Sequence, residues 1–338
     1  MELRSQTRTL TLAQTFAIAR DSRDVDHVVG LELRHDGLVG HGEASPYDRY
    51  SETPESAREW LERAAPLIGD DPFDLEAIEA RLDRELPPQA AARAALEAAL
   101  HDLVGKRCGQ PTWKLLGLTS RTPATSFTLG IDSVEGTIDR ARSAVEAGFR
   151  LLKVKVGGGE DLARLEAIRT VTDLPVRVDA NEGWTVADAR ALLPELRRLR
   201  VELIEQPFHA DDIDSFLNLR ELRGGIPIVV DEGCHRLPDV ARIARYADGL
   251  NLKLAKTGGI REALRMIHAA RALGLRVMVG CMIESSLGIA AAAQIASLCD
   301  YVDLDGHLLI TGDPFSGLGF ADGAVVLSDA PGLGVAPR

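Results

Sequence analysis

The chain has 338 residues, of which 45% are hydrophobic and 27% charged, with a net charge of −12. These values are typical of a globular protein with room for one barrel of about 250 residues and a further domain. The absence of a basic stripe, of a long apolar run and of an amino-terminal signal argues against nucleic acid, membrane insertion and secretion. We therefore expect a cytoplasmic protein that binds a small molecule; a homo-oligomer stays open, because isologous interfaces carry no sequence motif.

Residues 1–118 predict an α+β domain. Two strand-like segments, TLTLAQTFAIA and HVVGLELRHDGLVGHGEA, come first, and HDG in the second marks a hairpin turn. Helices follow. TPESAREWLERAAPLI begins with a Thr cap and a Pro, and the Ala-rich PQAAARAALEAALHDLVGK is predicted to end near Gly105.

Residues 119–318 alternate between strand and helix patterns. The eight strand candidates are TSFTLGI, FRLLKVKV, LPVRVDA, VELIEQ, IPIVVDE, GLNLKLA, LRVMVGCMI and YVDLDGHL. This α/β alternation predicts a TIM-like (β/α)7β barrel, in which the loop-like PFSGLGFADG replaces the last helix. Residues 319–338 are expected to return to the first domain as a strand.

Three acidic residues end consecutive strands of the predicted barrel. Asp179, Glu205 and Asp231 are 26 residues apart in both intervals, and a βα unit takes roughly 25 to 30 residues. The three carboxylates should therefore meet at the carboxyl end of the barrel, where barrel enzymes carry their active sites. Three hard oxygen ligands predict a Mg²⁺ site. Neighbours that would orient these ligands are Asn181, Gln206 and Glu232.

Lysines flank this site on two strands. Lys153 and Lys155 share a face of the second strand, and one ammonium is expected to depress the pKa of the other, as suits a general base. Lys253 ends the sixth strand, on the opposite side of the barrel; Lys256 is an alternative, although the strand phase favours Lys253. A lysine on each face of a carbon suits 1,1-proton transfer, in which one removes the α-proton and the other returns a proton to the far face. Mg²⁺ would stabilise the developing charge on the substrate carboxylate.

A second carboxylate pair ends the eighth strand. Asp303 and Asp305 share a face and would attract a cation, for example a substrate ammonium group. The alternative is a structural pair that binds backbone amides.

Several motifs resemble those of the enolase superfamily, specifically its muconate-lactonizing subgroup with lysines on strands two and six. The matching segments are KVK at 153–155, DAN at 179–181, EQP at 205–207, DE at 231–232 and NLKLAKTGG at 251–259. Within the subgroup the chain most resembles dipeptide epimerases that act on L-Ala-D/L-Glu. That resemblance is carried by DLDG at 303–306, CMIESS at 281–286, IARDSR at 18–23 and GEASPYDRY at 42–50.

The resemblance covers nearly the whole chain and makes the first domain a capping domain. It implies a Mg²⁺-dependent epimerase that exchanges the α-proton of a dipeptide's C-terminal residue, in the recycling of cell-wall peptides. It further implies that Asp303 and Asp305 bind the free α-ammonium group. A mobile loop near residues 18–26 would close over the substrate, with Arg20 or Arg23 meeting a distal carboxylate. Further expected substrate contacts are Thr128, Lys256, Met282 and Glu284.

Two other functions remain open. N-succinylamino-acid racemase or o-succinylbenzoate synthase would act on substrates without a free ammonium group and would leave Asp303 and Asp305 poorly used. A non-catalytic metal- or peptide-binding barrel is the other alternative, since a fold does not by itself prove activity. Such a binder would leave the α-hydrogen of its ligand untouched.

Overall fold

The computed structural model describes all 338 residues. The first domain opens with a long antiparallel meander, whose strands are β1 (Glu2–Ile18), β2 (Asp21–His35) and β3 (Leu38–Ala44). The predicted turn between β2 and β3 is confirmed, because Asp36 and Gly37 both have positive φ angles, 48° and 77°, as a two-residue hairpin of this hand requires. The segment near residues 18–26, expected to be a loop, is the tip of the β1–β2 hairpin instead.

The helices of the first domain pack on one face of this sheet. They are α1 (Pro54–Ala64), α2 (Leu75–Glu85), α3 (Ala90–Cys108) and α4 (Thr112–Leu115). Thr53 caps α1 as predicted. Helix α3 runs one turn beyond its predicted end, because the chain leaves the helix only at Gly109, in the left-handed region. Gly42 of β3 lets the sheet approach α3 closely, since a Cβ there would lie 1.9 Å from the Ala95 carbonyl oxygen.

The predicted eight-stranded parallel barrel is confirmed. Its strands are β4 (Phe127–Leu129), β5 (Leu152–Lys155), β6 (Val176–Asp179), β7 (Val201–Glu205), β8 (Ile228–Val230), β9 (Gly249–Leu252), β10 (Arg276–Gly280) and β11 (Tyr301–Asp303). Each strand pairs with its neighbours in chain order. A parallel bridge between Thr125 and Val302 brings the first strand to the last and closes the barrel.

Helices cover the outside of the barrel between successive strands. They are α5 (Val134–Glu146), α6 (Asp161–Val171), α7 (Val186–Arg198), α8 (Ile213–Leu222), α9 (Leu237–Ile243), the short α10 (Leu254–Thr257), α11 (Ile260–Ala272) and α12 (Ser286–Ala293). As expected, no α-helix follows β11. None of the helices combines the length and the apolar character that crossing a membrane would take.

The carboxyl-terminal tail differs from its prediction. The strand that joins the first sheet is β12 (Ile310–Thr311), which pairs with β1. The later strands pair among themselves; they are β13 (Phe315–Ser316), β14 (Gly319–Ala321), β15 (Ala324–Val326) and β16 (Ala336–Pro337). Beyond β12, the tail contacts the first domain through one backbone bridge, in which the Thr112 N–H donates to the Gly332 carbonyl oxygen at 2.8 Å and the Gly332 N–H donates to the Gln110 carbonyl oxygen at 3.0 Å. The Leu333 N–H adds a hydrogen bond to Asp102 Oδ1 at 2.8 Å.

The two main hydrophobic cores meet at the domain interface, where Ala94 and Ala98 of α3 belong to the barrel core and Ala255 of α10 belongs to the core of the first domain. The larger core fills the space between the barrel and its helices, and a separate one joins the first sheet to α1, α2 and α3. Charged groups also link the two domains. Arg265 Nη2 lies 2.9 Å from Glu79 Oε2, and Arg261 N–H donates to Glu97 Oε1 at 2.7 Å. The first domain is thereby held over the carboxyl ends of the barrel strands.

Candidate active site

A cavity of about 810 Å³, open to solvent, lies between the barrel mouth and the first domain. Its floor is formed by the ends of the barrel strands. Its roof consists of two segments of the first domain: the hairpin tip Phe16–Asp26, called the lid below, and the segment Ser45–Tyr50 that follows β3. Parallel strands bring their carboxyl ends together at this mouth, so residues distant in sequence converge here.

The three predicted carboxylates, called the acidic floor below, meet beneath the cavity, and Asp231 is the one of them that lines it. Asp179 and Glu205 are the last residues of β6 and β7, and Asp231 directly follows β8. One oxygen from each lies within 4.8 Å of the others, and all three side chains are buried. Buried acceptors without a hydrogen-bond partner, Asn181 Oδ1 and Glu232 Oε2, lie beside them. Oxygen donors that are hard, anionic and clustered fit Mg²⁺.

Neighbouring polar groups bind the three acidic residues or the residues beside them, and the Asn181 N–H donates to Asp179 Oδ1 at 3.0 Å. Asn251 Nδ2 donates to Glu205 Oε1 at 2.8 Å, and Gln206 Oε1 accepts the Asp231 N–H at 2.8 Å. Asn181 Nδ2 donates to Glu232 Oε1 at 3.2 Å. Asn251, which the sequence analysis did not single out, is the amide side chain that binds a carboxylate of the acidic floor directly, whereas the predicted Glu232 contacts Asn181 and Arg20 instead.

The lysines reach the carboxylates from two sides. Lys153 Nζ lies 2.9 Å from Asp179 Oδ2 and 2.8 Å from Glu205 Oε2, and Lys155 Nζ lies 2.7 Å from the same Asp179 oxygen. Lys253 follows β9, four strands further round the barrel, and its Nζ lies 2.9 Å from Asp231 Oδ2. Lys155 and Lys253 therefore enter the cavity from opposite walls.

The electrostatics of the lysines differ from the expectation. Burial opposes the charge of Lys153, but the carboxylates of Asp179, Asp303 and Glu205 raise its pKa well above the ordinary value. The predicted depression by a neighbouring ammonium is wrong for Lys153, because the carboxylates outweigh that repulsion. For Lys253, burial is likewise overcome by Asp231, and the pKa is raised. Burial, assisted by the charge of Asp179, raises the pKa of Glu205 to about 7.

Two residues predicted to bind substrate do not line the cavity. Lys256 Nζ is bound to the carboxylate and carbonyl of Asp231 and lies 3.3 Å from the Asn251 carbonyl oxygen, so it supports the acidic floor from behind. Glu284 folds back to accept the Met282 N–H at 3.3 Å, and burial raises its pKa to about 8. The loop after β10 turns Met282 inward instead, where it lines the cavity as predicted.

Asp303 and Asp305 form part of another wall. Asp303 Oδ2 lies 2.8 Å from Lys153 Nζ, and its Oδ1 accepts a hydrogen bond from the Ser126 hydroxyl. Asp305 Oδ2 accepts the Thr128 N–H at 2.6 Å, which agrees in part with the structural alternative. Both aspartates and Thr128 nevertheless line the cavity. Burial, together with the charge of Asp303, raises the pKa of Asp305 to about 7, so this wall favours a cationic group.

His307, which follows this pair, does not line the cavity. Its side chain is largely buried, and burial lowers its pKa to about 4. It is therefore a neutral, structural residue at neutral pH.

The two lid arginines both line the cavity but have different partners. Arg20 Nη2 lies 2.7 Å from Glu232 Oε1 of the barrel. Arg23 pairs with Asp21 and Asp26 of the lid itself, with 2.9 Å between Nη1 and Asp26 Oδ2. Both guanidinium groups are therefore already paired with carboxylates.

Several cavity residues were missed by the sequence analysis. Tyr47 and Tyr50 line the cavity from the segment after β3, and Tyr50 stacks edge-on against His235 with ring centroids 4.9 Å apart. The GEASPYDRY motif contained both tyrosines without indicating their role. Apolar lining residues Phe16 and Ile18 carry no polar signature and became visible only in the folded hairpin.

A barrel whose strands end in three converging carboxylates, with lysines on opposing walls, belongs to the enzymes that move a proton beside a substrate carboxylate with the help of a metal ion. Two family models match the chain: the mandelate racemase/muconate lactonizing enzyme N-terminal domain over residues 2–117, and the enolase C-terminal domain-like family over residues 136–338. The chain belongs to the enolase superfamily, as its motifs predicted.

Known relatives match nearly the whole chain in sequence or in structure. The L-Ala-D/L-Glu epimerase of Bacteroides thetaiotaomicron is 42% identical over 329 residues, which is 96% of this chain and 85% of that protein. A substrate-liganded complex of the L-Ala-D/L-Glu epimerase from Bacillus subtilis superposes with a TM-score of 0.95 at 30% identity, covering 100% of this chain and 98% of the other. A dipeptide epimerase from Enterococcus faecalis, complexed with Mg and L-Leu-L-Tyr, gives a TM-score of 0.93 at 32% identity, with coverages of 99% and 98%.

Proposed function

We propose that this protein is a Mg²⁺-dependent dipeptide epimerase that inverts the α-carbon of the C-terminal residue, with L-Ala-D/L-Glu as the first candidate substrate. The observation that carries the proposal is the position of Lys155 and Lys253 on opposite walls of one cavity. Relatives named as dipeptide epimerases, at up to 42% identity, support it. A cytoplasmic role in the recycling of cell-wall peptides is the cellular function that we propose with it.

The lysines divide the proton transfer between them. With the substrate α-carbon between the two walls, the neutral amine of Lys155 takes the α-proton from one face, and the ammonium of Lys253 delivers a proton to the other. The two lysines exchange roles for the opposite stereoisomer. After one inversion Lys155 carries the proton and Lys253 is neutral, and the reverse reaction restores the original protonation of both. Bound at Asp179, Glu205 and Asp231, Mg²⁺ would polarise the substrate carboxylate and so acidify the α-carbon.

The other groups bind and orient. Lys153, held between Asp179, Glu205 and Asp303 with a raised pKa, stays protonated and places a fixed positive charge beside the substrate carboxylate. Asp303 and Asp305 bind the α-ammonium group of the dipeptide, in line with the preference of that wall for a cation.

The test is proton NMR in D₂O with Mg²⁺, on L-Ala-L-Xaa dipeptides and N-succinyl amino acids. We expect the α-hydrogen signal of the C-terminal residue to disappear while the second diastereomer appears. Exchange confined to N-succinyl substrates would replace the proposal with a racemase and leave Asp303 and Asp305 without a cationic ligand. Binding without any exchange would favour the non-catalytic alternative.

A further inference from the structure

The turn of the lid is seated in a socket formed by barrel loops. Ile131, after β4, donates its N–H to the Ala17 carbonyl oxygen at 2.8 Å. The Ala19 methyl group packs against two glycines, one after β5 and one after β6. A Cβ at Gly157 would lie 2.9 Å, and one at Gly183 2.7 Å, from the Ala19 Cβ. Only glycines at these positions admit the lid turn this closely.

Arg20 adds charged contacts beside this seat. Its guanidinium lies 2.7 Å from Glu232 Oε1 and 3.5 Å from Glu182 Oε2, and it donates to the Asn181 carbonyl oxygen at 2.8 Å. Glu182 is held in turn by Arg49, with contacts of 3.0 and 2.9 Å. All the barrel partners of Arg20 therefore belong to loops that directly follow Asp179 or Asp231.

Arg23 offers an internal comparison. It lies on the same hairpin and lines the same cavity, but its ion-pair partners, Asp21 and Asp26, are both in the lid. If the lid separated from the barrel, Arg23 would keep these partners, whereas Arg20 would lose Glu232, Glu182 and Asn181. Of the two arginines, only Arg20 has its ionic contacts on the barrel.

We propose that Arg20 is a positioning residue that latches the lid to the loops following the metal-binding strands, and that it does not bind the substrate side chain. The planar guanidinium of Arg20 can contact several oxygen atoms at once. Here two βα loops supply three such atoms. Closure of the cavity is thereby tied to the same loops that position the acidic floor. The consequence for catalysis rests on the proposed function, but the latch itself is open to test without substrate.

The reporter for the latch is the Ile131 amide, because its hydrogen bond to Ala17 exists only while the lid is seated. Hydrogen–deuterium exchange of this amide should be roughly tenfold faster in Arg20→Gln than in the unchanged protein, as expected when a charged contact that holds a local closed state is lost. Arg4→Gln is the matched control, since Arg4 is an exposed arginine near the start of β1, far from the lid turn, and is paired with Glu2. It should leave the Ile131 amide protected.

Two further variants separate the latch from general loss of stability. Ala19→Leu, whose larger side chain does not fit between Gly157 and Gly183, should expose the same amide while Arg20 is intact. Glu232→Gln should accelerate exchange, and its combination with Arg20→Gln should add little, because both remove one contact. Unchanged Ile131 protection in Arg20→Gln would overturn the proposal.

Epimerase activity provides a second test of the latch. In Arg20→Gln, kcat/KM should fall by the same factor for L-Ala-L-Glu and L-Ala-L-Leu, and Arg20→Lys should restore part of it. A loss restricted to L-Ala-L-Glu would make Arg20 a ligand of the substrate carboxylate and would refute the latch. If the unchanged protein epimerised no dipeptide, the proposed function would fail, and the exchange measurements would still decide the role of Arg20.

Discussion

The two ends of the barrel interior use buried charge in opposite ways. At the amino-terminal end, Arg177 of β6 lies 2.7 Å from Glu202 Oε2, donates to the Val302 carbonyl oxygen at 2.9 Å and lies over the Tyr301 ring. Asp179 lies two residues beyond Arg177 on β6, and Asp303 lies two residues beyond Tyr301 on β11. Both side chains point into the mouth of the barrel. There, carboxylates crowd together and share ammonium groups.

The comparison distinguishes charged residues that stabilise the fold from charged residues that bind or react. At the amino-terminal end the protein itself supplies the partners, so the buried guanidinium is neutralised and fixed. At the mouth, burial leaves Glu205 and Asp305 with pKa values raised to about 7, so these groups would gain from a bound cation. Unbalanced burial of like charge is typical of sites that bind or react. The following predictions test this distinction, beginning with the largest effect.

Removal of either opposing lysine should give the largest effect. Lys155→Ala and Lys253→Ala should each reduce kcat for epimerisation by roughly a thousandfold or more, because one face of the α-carbon loses its proton carrier. Each variant should still exchange the α-proton of one stereoisomer with D₂O, as measured by NMR. Two fully active variants would exclude the two-lysine mechanism.

Loss of the charge of Asp305 should come next. Asp305→Asn should raise KM for dipeptides by roughly ten- to a hundredfold, since a charge-assisted contact to the substrate ammonium is lost. N-succinyl amino acids, which lack that ammonium, serve as the control and should be affected little. In the unchanged enzyme, protonation of Asp305 as the pH falls below about 7 should also raise KM for dipeptides. A KM that changes equally for both substrate classes would remove the ammonium-binding role.

The structural end of the barrel should respond in stability rather than in activity. Arg177→Met should lower the free energy of unfolding by about 2 kcal/mol, because it breaks a buried ion pair whose Glu202 partner keeps some solvent contact. Denaturant unfolding measures this change, and kcat should stay close to that of the unchanged enzyme. Arg198→Met, which removes exposed ion pairs with Glu195 and Glu166, is the surface control, for which we expect a much smaller change in stability. A large fall in kcat with unchanged stability would contradict the assignment of this end as structural.

The smallest expected effect concerns the lid. Asp26 is one of two lid partners of Arg23, so Asp26→Ala should leave that guanidinium with Asp21 alone and make it more available to an acidic substrate side chain. The ratio of kcat/KM for L-Ala-L-Glu to that for L-Ala-L-Leu should rise roughly threefold to tenfold. Asp24→Ala is the matched control, since Asp24 accepts from the Thr15 hydroxyl instead. An unchanged ratio in Asp26→Ala would show that Arg23 does not contact the substrate side chain.

Regular spacing made much of the molecule predictable. Strand ends repeat at the length of a βα unit, so Asp179, Glu205 and Asp231 identified both the barrel and its mouth. Strand phase also favoured Lys253 over Lys256 as the catalytic lysine, and Lys253 is the one that lines the cavity. The helix cap at Thr53 and the turn at Asp36 and Gly37 could be predicted because both depend only on residues that are close in sequence.

Features that depend on contacts between residues far apart in sequence could not be predicted. No local pattern indicated that Arg20 contacts barrel loops while Arg23 contacts the lid, since the two differ only in the three-dimensional path of the hairpin. The tail was expected to return to the first domain as a strand, and no local pattern indicated that its backbone contact there would be a single bridge at Gly332. Glu284 and Lys256 carry the polar character of site residues, yet tertiary contacts turn both away from the cavity.

The sequence by itself therefore determined the architecture, the acidic floor and the opposing lysines, because periodicity and strand polarity follow from the covalent chain. Only the tertiary structure decided which charges find partners. Burial and long-range ion pairs set the pKa values at the mouth, the direction of Lys256, and the separate contacts of Arg20 and Arg23. Those quantities depend on distances between elements, and these distances exist only once the two domains have packed together.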